Sequence, residues 1–233
     1  MKKLILILFL FVFVFKAKAQ KADQFNSWWY YSGKYKISKK LEIQTLYSWS
    51  RNDFVENWQH SKLKLGTNYN LLKNFKVGGG YEWIVLFPYG AHPVPQKRTE
   101  HRITQQFEIS TKLKNVSVKF GGLQEQRFIE GNITHRTRII LAVKTPIIST
   151  ENGKTKLGLS FYNQVFLNVG KKANGNYFNQ NRIYGGFDFP INNSLTLSLG
   201  YMNQYLIINT NKIENNHTLM VGLFHKLSFV KNK

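Results

Sequence analysis

Apolar and polar side chains alternate with a period of two along most of this chain, and no other feature constrains its fold as strongly. In residues 98–113, RTEHRITQQFEISTKL, Ile103 and Ile109 share one parity while Arg102 and Glu108 share the other. Successive side chains of a β-strand point to opposite faces, whereas an amphipathic helix needs apolar residues at every third or fourth position. The pattern therefore predicts strands and no amphipathic helix.

Ten segments from Leu41 onward carry this alternation, and they are commonly 10 to 14 residues long. They are residues 41–50, 61–71, 75–85, 98–113, 116–128, 135–144, 155–168, 181–189, 194–207 and 217–229. Residues 28–37, WWYYSGKYKI, are either an additional strand or a lead-in to the first one. Strands of globular proteins average about 5–6 residues, whereas a tilted strand needs about 9–11 to cross a bilayer. The segment lengths therefore favour membrane strands.

The connections and the aromatic residues add two further signals. Long gaps such as 86–97 and 169–180 broadly alternate with short ones such as 114–115, and outer-membrane barrels pair long extracellular loops with tight periplasmic turns. Aromatic residues gather near segment ends, as interfacial girdles do: Trp49, Trp83 and Tyr205 at one end, and Tyr69, Phe75, Phe189 and Phe229 at the other. The sequence thus predicts an all-β fold, an antiparallel transmembrane β-barrel of about 10–12 strands. The alternative is a soluble secreted β-sandwich that binds a ligand.

The amino terminus predicts export. Lys2 and Lys3 precede an apolar run of 12 residues, Leu4 to Phe15, and an Ala17-Lys18-Ala19 cleavage signal follows. A run of this length is too short for a membrane-spanning helix, which needs about 20 residues, and it fits a secretory signal peptide. We therefore expect a signal peptide at residues 1–19 and a single barrel domain at residues 20–233.

Charged residues on the polar parity predict a network inside the barrel. The candidates are Glu82, Glu100, Arg102, Glu108, Glu125, Arg127, Arg136, Arg138, Arg182 and Asp188. Opposite charges on neighbouring strands can pair, and buried charges need such pairing because desolvation is costly. The network would plug a small lumen or line a passage in a wetter one.

The sequence offers little for catalysis, metals or cofactors. There is no cysteine, so disulfides and thiolate sites are excluded. Outer-membrane lipases use a serine activated by a histidine, and the polar parity of His60 and the threonine neighbours of His135 keep a lipid-modifying enzyme as an alternative. His101 and Glu100 point to opposite faces of one strand and cannot share a metal. We expect no catalytic residue, no metal and no cofactor.

The net charge of +21 limits the kinds of partner that we expect for this protein. Removal of the four lysines in residues 1–19 leaves +17. Nucleic acid is not expected, because export argues against it and no binding motif is present. The expected partners are outer-membrane lipids, the barrel assembly machinery and lipopolysaccharide phosphates, which Lys97, Arg98, Lys171 and Lys172 in the long loops could meet.

An ensemble of short motifs resembles the DUF2490 family, a group of uncharacterised outer-membrane β-barrel proteins of Gram-negative bacteria. The motifs are Trp28 followed by SKKLEI, then GGGYEW, TEHRITQQF, HRTRI, NRIYGGF and LSLGYMNQY. The resemblance spans nearly the whole exported chain and implies the barrel fold and the outer membrane, but no activity. We therefore expect a structural protein or a narrow pore for small solutes, anions among them.

Overall fold

The alternating segments form long β-strands that hydrogen-bond to one another in sequence order. The computed structural model describes residues 20–87, 97–170, 176–209 and 212–230, and eleven strands run through these ranges as one closed barrel. The strands are β1 (Gln20–Lys36), β2 (Leu41–Asn52), β3 (Asn57–Leu72), β4 (Phe75–Leu86), β5 (Arg98–Leu113), β6 (Val116–Ile129), β7 (Asn132–Ser149), β8 (Thr155–Val169), β9 (Phe178–Pro190), β10 (Leu195–Asn209) and β11 (Lys212–Ser228). The predicted barrel is confirmed, and the β-sandwich alternative is wrong for the described residues.

Residues 28–36 belong to β1, and Ile37 follows the end of that strand. Each strand is antiparallel to its sequence neighbours, but β1 and β11 close the barrel as a parallel pair. An odd number of up-and-down strands requires this, since the first and last strands then run in the same direction. The prediction of a wholly antiparallel barrel is wrong at this one seam. The predicted signal peptide, residues 1–19, lies outside the described residues.

The two ends of the barrel differ, and we name them by their connections. The turn end carries the connections 37–40, 73–74, 114–115, 150–154 and 191–194. The loop end carries 53–56, 87–97, 130–131, 170–177 and 210–211. Only two loop-end connections are long, so the predicted alternation of gap lengths holds at 87–97 and 170–177 and is wrong elsewhere. At Glu130 and Gly131 both φ angles are positive, as a two-residue hairpin loop requires, and pairing therefore continues to the turn.

The register of the strands fixes the tilt and width of the barrel. A path of paired residues that leaves β1 at Lys36 passes through Gly78, Leu123 and Phe166 and returns to β1 at Ala22, 14 residues nearer the loop end. With eleven strands, this shear corresponds to a strand tilt of about 40° and a backbone radius of about 11 Å. Because of the shear, residues paired along this path lie progressively nearer the loop end. Because the radius is small, long side chains from opposite sides of the barrel can meet near the axis.

Polarity is inverted relative to a soluble protein. Large apolar side chains on the outer face are exposed, among them Leu65 at 59%, Ile183 at 56% and Phe161 at 48%. Charged side chains on the inner face are buried, among them Glu100 and Glu125. The structure thus gives the two parities the faces that the sequence predicts. None of the described residues forms a helix of the length and hydropathy needed to cross a bilayer.

Candidate functional site in the barrel interior

The register sorts the inward-facing side chains into three layers along the barrel axis. An ion-pair layer lies in the loop-end half, an aromatic layer lies near mid-height, and a lysine vestibule lies at the turn end. The layers arise because paired residues climb the barrel from strand to strand, which brings residues of distant sequence position to one height. We define each layer by its residues below.

The ion-pair layer consists of three carboxylates and five cationic side chains. Its members are Glu82, Glu100, Glu125, Lys64, Arg102, Arg127, Arg136 and Arg138. Arg102 is the centre, because its guanidinium contacts Glu100 at 2.5 Å, Glu125 at 3.4 Å and Glu82 at 3.5 Å. The side chains of Glu100 and Glu125 have no exposed surface. The layer therefore occupies the barrel interior beside β3 to β7.

The two most buried carboxylates each bind more than one arginine. Glu100 accepts hydrogen bonds from Arg102 Nε at 2.5 Å and from Arg127 Nε and Nη2 at 2.5 and 3.0 Å. Glu125 accepts from Arg136 Nε at 2.5 Å and also from Arg138 Nη2. Hydrogen bonds between ionised groups are the strongest that side chains make. Such multiple contacts offset the cost of burying these charges.

Phe166 packs against three arginines from the two strands beside it. Its ring is fully buried, and the guanidinium carbons of Arg136, Arg138 and Arg182 lie 4.9, 4.6 and 4.9 Å from its centroid. Arg182 also lies 4.8 Å from the ring of Trp28. Aromatic faces attract cations, most strongly where water is excluded. Arg182 is thus held by aromatic rings, and its buried Nε makes no hydrogen bond to a described residue.

The aromatic layer closes the side of the barrel formed by β8 to β11 and β1. A buried cluster of Trp28, Tyr184, Met202 and Met220 packs with Tyr30 and Tyr162. The rings of Tyr162 and Tyr184 stack with centroids 4.7 Å apart. Gly200 and Gly222 provide the space, since a Cβ added at either would lie within 2.6 Å of a tyrosine ring. On this side of the barrel, the layer lies between Phe166 and the turn end.

The lysine vestibule is a cavity of about 420 Å³ at the turn end. Four lysines line it, Lys34, Lys119, Lys144 and Lys226, together with Asp188. Lys144 binds Asp188 at 2.6 Å, and Lys119 binds Glu108 at 3.0 Å. Asp188 also accepts a hydrogen bond from Ser160. The vestibule therefore carries more ammonium groups than carboxylates.

The ten residues predicted to form one network are divided between two layers. Seven of them, Glu82, Glu100, Arg102, Glu125, Arg127, Arg136 and Arg138, are connected by ion pairs. Arg182 joins them through Phe166. Asp188 and Glu108 lie apart from them. Asp188 lines the vestibule and binds Lys144, and Glu108 lies beside it and binds Lys119.

Sequence reasoning missed the lysines. Lys64 and Lys144 lie on the same parity as the arginines, and that parity is a signal available from sequence. Lys119 pairs with Ala142 across β6 and β7 and also points inward. The inward position of Lys34 could not be inferred from the sequence, because residues 28–37 were not assigned to a strand.

The histidines do not assemble a catalytic site among the described residues. His60 lies 3.2 Å from the hydroxyl of Ser50, but Ser50 is fully buried, so no substrate carbonyl can reach it. His101 and His217 contact Tyr81 and Tyr201 on the outer face. His135 is exposed on that face as well. The described residues contain no cluster of three potential metal ligands.

These features define a class: a closed β-barrel with an apolar exterior and a charged, filled interior. The chain belongs to the DUF2490 family, described as a protein of unknown function, which it matches over residues 25–216. Comparisons with curated proteins and with solved structures gave no significant match.

Proposed function

We propose that this protein is an outer-membrane β-barrel of a Gram-negative bacterium that provides a narrow, normally closed passage favouring small anions. The inverted polarity of the barrel carries the membrane part of this proposal. Exposed leucine, isoleucine and phenylalanine side chains encircle the outer face, and a soluble protein would present a large apolar patch of this kind only at an interaction site. Lipid is the partner that can cover such a surface on all sides.

The spacing of aromatic residues supports the same placement. Trp83 and Phe75 lie on one face of β4, eight residues apart, which is about 20 Å along the axis at this tilt. Apolar bands of outer-membrane barrels are about 25 Å tall and are flanked by aromatic girdles. We place the turn end in the periplasm, where such barrels have short turns. The lipopolysaccharide contact of Lys97 and Arg98 and the role of the assembly machinery remain part of the proposal; Lys171 and Lys172 lie outside the described residues.

The interior charge supports a preference for anions. The ion-pair layer has five cationic side chains for three carboxylates, and Arg182 adds a further cation. A confined passage lined by one sign of charge concentrates the opposite ion. Glu100, Glu125 and Phe166 are fully buried, which supports a passage that is closed in this conformation.

Planar bilayer recordings test the passage with two alanine variants of β8. Phe166→Ala removes the ring that holds three guanidinium groups, so we expect conductance to rise several-fold above the wild type and to favour chloride over potassium. Phe161→Ala is the matched control, because Phe161 is an exposed phenylalanine on the outer face of the same strand. It should leave conductance unchanged.

Heat-modifiable gel mobility verifies that each variant is folded before it is recorded. A folded Phe166→Ala protein that conducts no better than the wild type contradicts the passage. A current that favours cations contradicts the anion preference.

A further inference from the structure

We infer that the lysine vestibule is a binding site for a small soluble phosphate monoester that enters from the turn end. This inference goes beyond the proposed passage, because binding at the vestibule requires no conduction through the ion-pair layer. The cavity volume of about 420 Å³ lies within the range of about 300–1,000 Å³ that is usual for small-molecule sites.

Only two of the four vestibule lysines take part in ion pairs among the described residues. Lys144 and Lys119 are paired with Asp188 and Glu108, whereas Lys34 and Lys226 make no ion pair or hydrogen bond to any residue in the described part of the chain. Lys34 and Lys226 are directly paired in the register of β1 and β11, and both line the cavity with Lys119 and Lys144, so like charges face one another there. Glu108 and Glu42 act against this repulsion at Lys34, and Asp188 and Glu42 do so at Lys226, while Lys76 adds to it at Lys34. An anion between these groups would relieve the repulsion.

The number of lysines without an ion pair indicates the charge that the ligand should carry. Lys34 and Lys226, which have no ion-pair partner among the described residues, match a phosphate monoester, which carries a charge of about −1.5 to −2 and three acceptor oxygens. A single carboxylate would neutralise only one of them. Ser32, Ser117 and Thr196 also line the cavity, and their hydroxyl groups can donate to the remaining oxygens.

Apolar side chains also line the vestibule and suit the organic part of an ester. Phe224, Pro146 and Pro190 line it. The ring of Phe224 is fixed by Lys144 at 5.2 Å and by the edge of Tyr30, whose centroid lies 5.5 Å away. A site that combines ammonium groups with rigid apolar side chains distinguishes a phosphate ester from inorganic phosphate.

The enclosing strands favour a soluble source of the phosphate group over a lipid. The lysines point to the inside of the barrel, so a lipid headgroup would have to leave the bilayer and enter the turn end. A free phosphate ester would reach the cavity by diffusion.

Isothermal titration calorimetry on the full, detergent-solubilised protein tests the inference with sn-glycerol 3-phosphate as the probe. We expect saturable binding that weakens as salt is added, weaker binding of inorganic phosphate and no binding of glycerol. The double substitution Lys34→Gln/Lys226→Gln should lower the affinity by at least about tenfold, since each lost hydrogen bond to a charged group is worth about this factor.

The matched control removes the same charge elsewhere at the turn end. Lys39 and Lys73 line a separate, open recess outside the vestibule, so Lys39→Gln/Lys73→Gln should bind the probe as the wild type does. Equal loss of affinity in both double variants would overturn the site, as would the absence of wild-type binding at millimolar probe. Binding of dihexanoyl phosphatidic acid without binding of glycerol 3-phosphate would overturn the soluble source.

Discussion

Each buried carboxylate of the ion-pair layer is held by more than one cation. Glu125 is surrounded by Arg102, Arg136 and Arg138. It is the ion-pair partner of Arg136 and Arg138 and, with Glu100 and Glu82, one of three partners of Arg102, and little water reaches these groups. Removing one partner from a buried ion pair leaves an uncompensated charge, which is far more costly than losing an exposed pair. The stability of this region therefore depends on Glu125 more than on any exposed acid.

We expect Glu125→Gln to lower the free energy of unfolding by about 3–5 kcal/mol. Thermal melting in detergent, followed by circular dichroism and by the heat-modified gel band, measures the change. Glu108→Gln is the control, because its side chain is 32% exposed and its one ion pair among the described residues is with Lys119, so its loss should cost about 0–1 kcal/mol. Equal destabilisation by the two substitutions would show that burial of the network does not set its strength.

Parity in the sequence was enough to predict which side of a strand each charged residue occupies, but it could not identify partners. Arg102 meets Glu125 because β5 and β6 pair in one particular register, and register depends on the turn at Lys114-Asn115. Arg182 was grouped with the ion pairs, yet it lies against Phe166 and Trp28. Phe166 comes from β8, the neighbour of β9, but Trp28 comes from β1, and no local pattern relates β1 to β9.

At the scale of the element, close backbone approach distinguishes one pair of strands. Gly66 of β3 and Gly80 of β4 are directly paired and face inward. A Cβ added at Gly80 would lie 2.7 Å from the Leu65 carbonyl oxygen and 2.9 Å from the Gly66 Cα. These are backbone atoms, which cannot move aside as a flexible side chain can. Gly80 of the GGGYEW motif thus permits close packing of these two strands.

We expect Gly80→Ala to destabilise the barrel by about 1–3 kcal/mol, as overpacking does. Gly158→Ala is the matched control, because the nearest atom to an added Cβ there is 3.5 Å away. Urea titration of the folded band on unheated gels compares the two. A Gly80→Ala barrel as stable as Gly158→Ala would mean that β3 and β4 separate at little cost.

Strand existence followed from period two, but strand boundaries did not. β7 runs from Asn132 to Ser149, whereas the alternation is clear only over residues 135–144. Pairing with β8 extends the strand past the clear alternation, because backbone hydrogen bonds need no side-chain pattern. The same effect shortens the loop-end connections and explains why the predicted gap lengths were too long.

At the scale of the whole molecule, eleven strands and a shear of 14 residues give the barrel an intermediate width. Barrels of about eight strands are filled by their own side chains, and those of about 16–18 leave an aqueous channel. At this width, only long side chains from opposite walls close the lumen. Arginine, tyrosine and phenylalanine do so here, which ties the interior composition to the strand count.

The absence of cysteine allows the orientation to be mapped with single introduced thiols. Val55 at the loop end and Asn193 at the turn end are both exposed. We expect a membrane-impermeant maleimide to label Val55→Cys in intact cells and Asn193→Cys only after the outer membrane is permeabilised. The reverse pattern would invert the orientation, and labelling of both in intact cells would contradict a spanning barrel.

The parallel seam between β1 and β11 has a consequence for anything attached to this protein. Because both strands run from the loop end to the turn end, the polypeptide enters the barrel at one rim and leaves it at the other. A passenger domain fused ahead of Gln20 and a second fused behind Phe229 would be displayed in different compartments. Even-stranded barrels, whose two termini share a rim, have no such division.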